Sequence, residues 1–107
     1  MNAETLKGHL DLLLLAAVQS RPAHGYAIAD TLRARSDGAF DLPEGTLYPA
    51  LHRLERAGLL SSQWSEVNGR RRRVYQLTAR GHRALAKRHD EWRAFARAVH
   101  AVVEGLA

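Results

Sequence analysis

The chain has 107 residues, no cysteine, and a formal net charge of +5 from 16 basic and 11 acidic side chains. This length allows one domain with one modest hydrophobic core. The lack of cysteine excludes disulfides, zinc–thiolate sites and thiol catalysis. The apolar run Leu12–Leu15 is too short to span a bilayer, and the N-terminus lacks the residue order of a signal peptide, so we expect a cytoplasmic protein.

The basic charge is concentrated in the middle of the chain. Residues 43–83 carry eight basic and three acidic side chains, whereas residues 1–42 carry four basic and five acidic ones. Clustered basic charge is the electrostatic pattern expected for a polyanionic partner such as nucleic acid. An acidic protein or a membrane surface would attract the same charge, so charge alone leaves the partner open.

The first predicted helix is apolar on nearly every side. Its main stripe comprises Leu6, Leu10, Leu13, Leu14, Ala17 and Val18. Leu12 and Leu15 widen this stripe, so the helix must be buried on several sides, and we expect it to be the central packing element. Arg21-Pro22 is predicted to end it.

A second helix is predicted over roughly residues 25–35. Three of its apolar side chains should face inward: Ala27, Ile28 and Leu32. His24, just before it, could be a catalytic base, a metal ligand or a helix-start residue. Because no partner residues stand at supporting spacings, the helix-start role is favoured. The turn Ser36-Asp37-Gly38 then leads toward the next helix, which predicts a helix-turn-helix arrangement.

The stretch Asp41–Leu60 predicts a third, amphipathic helix that ends near Ala57, with Gly58 as a left-handed cap. Its apolar face comprises Leu47, Ala50, Leu51 and Leu54. Its candidate DNA-binding side chains are Thr46, Tyr48, Pro49, His52, Arg53 and Arg56. A helix with one apolar face and one basic, hydrogen-bonding face suits a DNA major groove. An ordinary amphipathic helix with a solvated charged side has the same pattern.

Pro49 bears on where this helix begins. If Thr46 is the N-cap, Pro49 falls in the first turn, where its missing N–H costs no hydrogen bond. If the helix begins near Glu44, we expect its first turn to be distorted around Pro49.

Residues 60–77 predict a β-hairpin closed by Asn68-Gly69, a strong signal for a tight turn. Four arginines follow the turn and should alternate between the two faces of the strand: Arg70, Arg71, Arg72 and Arg73. They could form a solvated edge that discourages strand aggregation. Their position after a helix-turn-helix favours a wing that binds phosphates. The residues expected to anchor the base of the hairpin are Trp64, Val74, Tyr75 and Leu77, although strand alternation cannot place the adjacent Val74 and Tyr75 on one face.

Thr78 is the predicted N-cap of a last helix that runs to about Glu104. Its apolar residues follow a heptad pattern and predict a dimer interface: Leu85, Trp92, Phe95, Val99, Val102 and Leu106. At about 1.5 Å per residue this helix would be about 40 Å long, more than a small domain can cover by itself. A two-fold homodimer would cover it. The alternative is a helix folded back on the first helix within one chain, and we expect some of both.

Trp92 and Phe95 are also candidates for a ligand pocket at that interface. Two-fold symmetry could bring both copies of Trp92 together, and their flat faces would suit a small aromatic effector. The alternative, which is favoured, is that Trp92 only fills the core between the helices.

Four segments resemble the PadR family of transcriptional regulators over nearly the whole chain. They are LKGHLDLLLLAAV at residues 6–18, HGYAIADTL at 24–32, EGTLYPALHRLERAGLL at 44–60 and GRRRRVYQLTARG at 69–81. The resemblance implies a mainly α fold with a small β-hairpin, namely a winged helix-turn-helix over residues 1–77. It also implies a single C-terminal dimerisation helix over residues 78–107, as in the short form of the family. Family members bind operator DNA as dimers, usually repress transcription, and in some cases respond to small aromatic or amphipathic ligands.

We therefore expect a dimeric, sequence-specific DNA-binding transcriptional regulator, a repressor of a palindromic operator that needs no cofactor. The rival is a non-sequence-specific architectural module, which would bind operator and random duplexes alike. An enzyme is disfavoured because the sequence has no HExxH-type pattern, phosphate-binding glycine loop or nucleophile elbow. His82 and His89 lie seven residues apart on one helix without a cysteine to complete a metal set, so no metal site is expected.

Overall fold

The computed structural model describes residue 6 and residues 8–105, apart from the side chain of Val67. Over this part of the chain the elements are α1 (Leu10–Ala17), β1 (Ala23–His24), α2 (Gly25–Arg35), α3 (Glu44–Arg56), β2 (Leu60–Val67), β3 (Arg70–Leu77) and α4 (Ala79–Gly105). This order confirms the predicted mainly α fold with a small hairpin and a long C-terminal helix. The strands form one antiparallel sheet in the order β1-β3-β2.

Helix α1 is the central packing element, as its composition predicts. Leu14 and Leu15 are fully buried, and both belong to the single core that α1 shares with α2, α3, the sheet and the start of α4. Its bounds are narrower than the apolar stripe predicted. Gly8 and His9 form a turn, so the regular helix begins at Leu10, and it ends at Ala17. Glycine is a poor helix former, which accounts for the late start.

Helix α3 begins at Glu44, so Thr46 is not its N-cap, and Pro49 lies inside the helix. The Pro43 carbonyl accepts hydrogen bonds from both Thr46 N–H and Leu47 N–H, each at 3.0 Å. The first of these spans three residues, which gives the first turn a 3₁₀ character. The alternative in which the helix begins near Glu44 is therefore the correct one.

The end of α3 has the predicted left-handed cap. Gly58 has φ +80°, its N–H donates to the Glu55 carbonyl, and the next N–H, from Leu59, donates to the Leu54 carbonyl. This pair of bonds is a Schellman motif, which a glycine at the left-handed position allows without strain. It turns the chain directly from α3 into β2.

The hairpin also has the predicted turn. Asn68 and Gly69 both have positive φ, at 52° and 74°, as a type I′ turn requires. Tyr75 is 1% exposed and anchors the hairpin on the core, but Trp64 is 54% exposed, so the prediction that Trp64 anchors the base was wrong. Trp64 pairs with Arg73, two residue pairs closer to the tip than the pairing of Ser62 with Tyr75. The core does not extend that far along the hairpin.

Thr78 caps α4 as predicted. Its Oγ1 accepts a hydrogen bond from Gly81 N–H at 2.9 Å and donates to the Gly58 carbonyl at 2.6 Å. A Cβ added to Gly81 would overlap the Leu59 carbonyl, so only glycine allows α4 to start this close to the end of α3. Within the described chain, α4 contributes only Gly81 and Leu85 to the buried residues. The rest of this helix extends the molecule to 56 Å in its longest dimension.

Candidate nucleic-acid interface

Helix α3 presents an outer row of side chains opposite its buried face. The exposed row contains Pro49, His52 and Arg56, at the three- and four-residue spacing that aligns side chains along one helix face. Leu47, Ala50, Leu51 and Leu54 hold the opposite face on the core. The outer row combines a rigid ring with an imidazole and a guanidinium, both of which can hydrogen-bond to base edges or phosphates.

On one side of this row, α3 is bound to α1. Arg53 donates from Nη1 to Asp11 Oδ2 at 3.0 Å and from Nη2 to Asp11 Oδ1 at 2.8 Å, a bidentate pair. These hydrogen bonds raise the pKa of the Arg53 guanidinium, so Arg53 stays charged. Thr46, half-buried, and Arg56 line the shallow depression beside Arg53. Arg53 therefore reaches the margin of the outer row in an orientation that α1 sets.

On the other side, α3 is bound to α2 and to the hairpin. The Tyr48 ring lies against Gly25, where an added Cβ would come within 2.5 Å of Cε1. Tyr48 is half-buried at this α2–α3 junction. Ser62 Oγ donates to Glu55 Oε2 at 2.6 Å, and Arg73 Nε donates to the same Ser62 Oγ at 2.8 Å. These contacts fix the hairpin relative to the outer row of α3.

The four hairpin arginines divide between two faces of the sheet. Arg73 faces α3, because its guanidinium lies 3.7 Å from Glu55. Arg71 shares that face by strand alternation, while Arg70 and Arg72 lie on the other. The exposed Trp64 ring also lies on the α3 side, with the guanidinium carbons of Arg71 and Arg73 at 4.7 and 5.3 Å from its centre. One basic surface thus runs from the outer row of α3 onto the hairpin.

The position of Trp64 could have been predicted from the sequence, whereas the contact of Asp11 with Arg53 could not. A two-residue Asn68-Gly69 turn sets the pairing of Trp64 with Arg73, so the face that they share could have been inferred from the register. Asp11 lies 42 residues from Arg53, and no local pattern connects them.

His24 has a structural role at the far side of the sheet. Its Nδ1 accepts a hydrogen bond from Ala27 N–H at 3.3 Å, which makes it the N-cap of α2, as predicted. Burial and the nearby positive charge of Arg72 lower the pKa of His24, so the neutral, accepting form is favoured. Across residue 6 and residues 8–105, no three His, Asp or Glu side chains gather in a way that could hold a metal ion. None of the helices in that range is apolar and long enough to cross a membrane.

A helix-turn-helix whose second helix has an exposed basic face, followed by a basic hairpin, defines a winged helix-turn-helix protein. The sequence profile of the transcriptional regulator PadR-like family matches residues 14–87 of this chain. The chain belongs to this family, whose members are transcriptional regulators and not enzymes.

Individual relatives agree with that assignment. The transcriptional regulator Rv3488 of Mycobacterium tuberculosis is 41% identical over 76 residues, which cover 71% of this chain and 68% of the relative. A PadR family transcription regulator from Clostridium difficile R20291 is 33% identical with a TM-score of 0.79, over 90% of this chain and 99% of that one. A PadR family regulator from Eggerthella lenta is 32% identical with the same TM-score of 0.79, over 94% and 87% of the two chains.

Proposed function

We propose that this member of the family is a dimeric, sequence-specific DNA-binding repressor that recognises a palindromic operator. The observation that carries the proposal is the continuous basic surface formed by the outer row of α3 and the α3-facing side of the hairpin. In this proposal His52, Arg53 and Arg56, with Thr46, Tyr48 and Pro49 around them, address the major groove and its flanking phosphates. The arginines of the hairpin, Arg70, Arg71, Arg72 and Arg73, hold the DNA backbone or reach the adjacent minor groove.

The exposed apolar side of α4 supports the dimer. Four residues of the predicted seam are substantially exposed in the single chain: Trp92 at 41%, Phe95 at 59%, Val99 at 43% and Val102 at 62%. Leu85 is instead buried in the core of its own chain, and Leu106 lies outside the described residues. A row of exposed apolar side chains on one helix is expected to be covered by a partner, and a two-fold dimer is the commonest solution. Residues 1–77 would then bind DNA and residues 78–107 would join the subunits.

In a two-fold dimer, the two copies of α3 would contact DNA together. Dimeric helix-turn-helix proteins place their recognition helices about 34 Å apart, one turn of DNA, so that each contacts one half-site. Protein symmetry of this kind requires a palindromic operator. A non-sequence-specific module does not need this arrangement.

An effector site for a small aromatic compound is a second part of the proposal. A cavity lies between the start of the described chain and α4, and it is lined by Gly8, His9, Leu12, Arg88, Glu91, Trp92 and Phe95. Trp92 packs edge-on against His9 at 5.1 Å and lies 6.2 Å from Phe95, so the site has aromatic walls with charged groups at its margin. Such a combination suits a flat ligand. Packing of Trp92 against the partner subunit is the competing use of the same surface.

Selection of binding sites from a random duplex library tests the main proposal. We expect enrichment of one inverted repeat, with an affinity at least about a thousand times that for a scrambled duplex of equal length. Equal affinity for the enriched and scrambled duplexes would support the architectural module instead. Reporter transcription from a promoter that contains the enriched site would then show repression or activation.

A further inference from the structure

Asp11 of α1 forms ion pairs with side chains from both α3 and α4. It lies in the first turn of α1, where it binds Arg53 of α3 through both carboxylate oxygens. Arg88 of α4 approaches the same carboxylate, with Nη1 at 3.5 Å from Oδ2. One acidic side chain is therefore shared by the DNA-facing helix and the helix of the proposed dimer interface.

The two partners of this pair differ in their access to water. The Asp11 side chain is 19% exposed, whereas that of Arg53 is 55% exposed. Asp11 is thus screened by the protein and satisfied by arginine, while Arg53 still has N–H groups that point to solvent. A bidentate arginine–carboxylate pair fixes the plane of the guanidinium as well as its position. The remaining donors of Arg53 are held in one direction at the margin of the outer row.

We propose that Asp11 is a positioning residue for DNA recognition, which converts Arg53 from a mobile cation into a directed hydrogen-bond donor. A free arginine at this place would bind any nearby phosphate, which adds affinity without sequence preference. An arginine held in one plane can discriminate among base edges, because bidentate recognition depends on geometry. This inference rests on the proposed function.

Arg88 extends the same ion cluster to the effector cavity. It lines that cavity together with Trp92, and its Nη1 lies 3.5 Å from Asp11 Oδ2, to which Arg53 donates at 3.0 Å. We therefore expect a change in the surroundings of Arg88 to alter how strongly Asp11 holds Arg53. The cluster Asp11–Arg53–Arg88 is therefore a direct physical connection between α4 and the DNA-facing helix.

The test uses Asp11→Asn in the full chain, with affinities for the selected operator and for a scrambled duplex measured at several salt concentrations. Release of Arg53 should raise the affinity for scrambled DNA and steepen the salt dependence by roughly one unit of log–log slope, as one phosphate contact is gained. The operator-to-scrambled affinity ratio should fall about tenfold, within the range for one lost bidentate contact. A variant that was merely less well folded would lose affinity for both duplexes.

Asp90→Asn is the matched control, since it makes the same charge change on the exposed surface of α4. It should leave the ratio unchanged. Arg53→Lys keeps the charge but not the planar fork, so it should lower the ratio while leaving scrambled-DNA affinity nearly constant. In an Arg53→Gln background, Asp11→Asn should have no further effect on the ratio.

The connection to α4 is tested by combining Arg88→Gln with Arg53→Gln. Their effects on operator affinity should be non-additive by about threefold with Asp11 present and additive with Asn at that position. If the effects of Arg88→Gln and Arg53→Gln on operator affinity were additive with Asp11 intact, the connection to α4 would be overturned.

An operator-to-scrambled affinity ratio that Asp11→Asn left unchanged would overturn the positioning role. A library that yields no enriched sequence would instead overturn the proposed function. The salt dependence of binding to random duplex, compared between the original chain and Asp11→Asn, would still decide whether Asp11 restrains Arg53.

Discussion

The guanidinium of Arg71 lies over the exposed indole of Trp64, with Cζ 4.7 Å from the ring centre. The two residues occupy the two strands of the hairpin, on the face directed toward α3. A cation–π contact at an exposed site contributes about 0.5–1 kcal/mol. This contact limits the freedom of a long side chain near the tip of the hairpin, where the core supplies no support. Trp64 therefore organises the basic surface of the wing.

Replacement of Trp64 with Leu should weaken binding to every duplex. If Trp64 holds the wing arginines, the loss should be about twofold to fivefold, which corresponds to the 0.5–1 kcal/mol of one exposed cation–π contact. Fluorescence anisotropy with labelled operator and scrambled duplexes measures it. Gln63→Ala, at the neighbouring position on the opposite face of β2, is the control and should have little effect. A loss confined to the operator would mean that Trp64 contacts bases.

His52 and Arg71 should affect DNA binding in different ways. His52→Ala should lower operator affinity by about 1–3 kcal/mol with little change on scrambled DNA, because a base contact carries the sequence preference. Arg71→Ala should weaken both duplexes similarly and reduce the salt slope by about one unit, because a phosphate contact acts through counterion release. Titrations at several salt concentrations separate the two. If His52→Ala left the ratio of operator affinity to scrambled-DNA affinity unchanged, this result would contradict the placement of α3 in the major groove.

Paired charges on the seam of α4 should prevent dimer formation. Replacement of Val99 and Val102 with Glu places like charges at a self-contact, which should cost about 3–5 kcal/mol if the seam is the interface. Analytical ultracentrifugation should then show a monomer. Ala94→Glu with Ala101→Glu, on the side of α4 turned away from the seam, is the control and should remain dimeric. A folded dimer of the seam variant would remove α4 from the interface.

The stability of the domain should depend on pH through His24. Because the pKa of His24 is lowered in the folded chain, mainly by burial, the unfolded chain binds more protons, and stability rises with pH. This contribution is fully present above the ordinary histidine pKa of about 6.5 and is lost as the pH falls through the lower folded value. Protonation of Nδ1 also removes the acceptor for Ala27 N–H.

Thermal unfolding of the His24→Asn variant at a series of pH values measures this dependence. Asparagine is a good N-cap and does not titrate, so the variant should keep α2 capped and lose part of the destabilisation at acidic pH. Every other residue is the same in the two proteins, so the difference between their pH profiles reports on position 24. Identical pH profiles for the two proteins would assign the acid sensitivity to other groups.

The effector proposal predicts a change in Trp92 emission. In a Trp64→Phe background, Trp92 is the remaining tryptophan, and a planar aromatic compound stacked on it should quench its fluorescence. A regulatory ligand must also change operator affinity, since it acts only through different affinities for the DNA-competent and incompetent forms. If no compound quenches Trp92, this residue serves packing alone, and quenching without a change in operator affinity would exclude a regulatory site.

Local signals in the sequence determined most of the helices, strands and turns. Gly58, Asn68-Gly69 and Thr78 each mark a cap or turn whose geometry depends on a few neighbouring residues, and each was predicted at its observed place. The apolar period of α3 likewise predicted its buried face. Such features depend on interactions within a few residues, so one sequence suffices to infer them.

Contacts between distant segments were decided by the tertiary structure. Strand β1 is two residues long and exists because Ala23 and His24 pair with β3, which no local pattern predicts. Sequence reasoning placed Arg53 among the DNA-binding residues but could not reveal that Asp11, far earlier in the chain, holds it. The physical reason is that the position of a charged side chain depends on which charges the fold brings within hydrogen-bonding distance. Sequence thus identified the basic residues of α3 and the hairpin, and the packing of α1 against α3 decided how one of them, Arg53, is held.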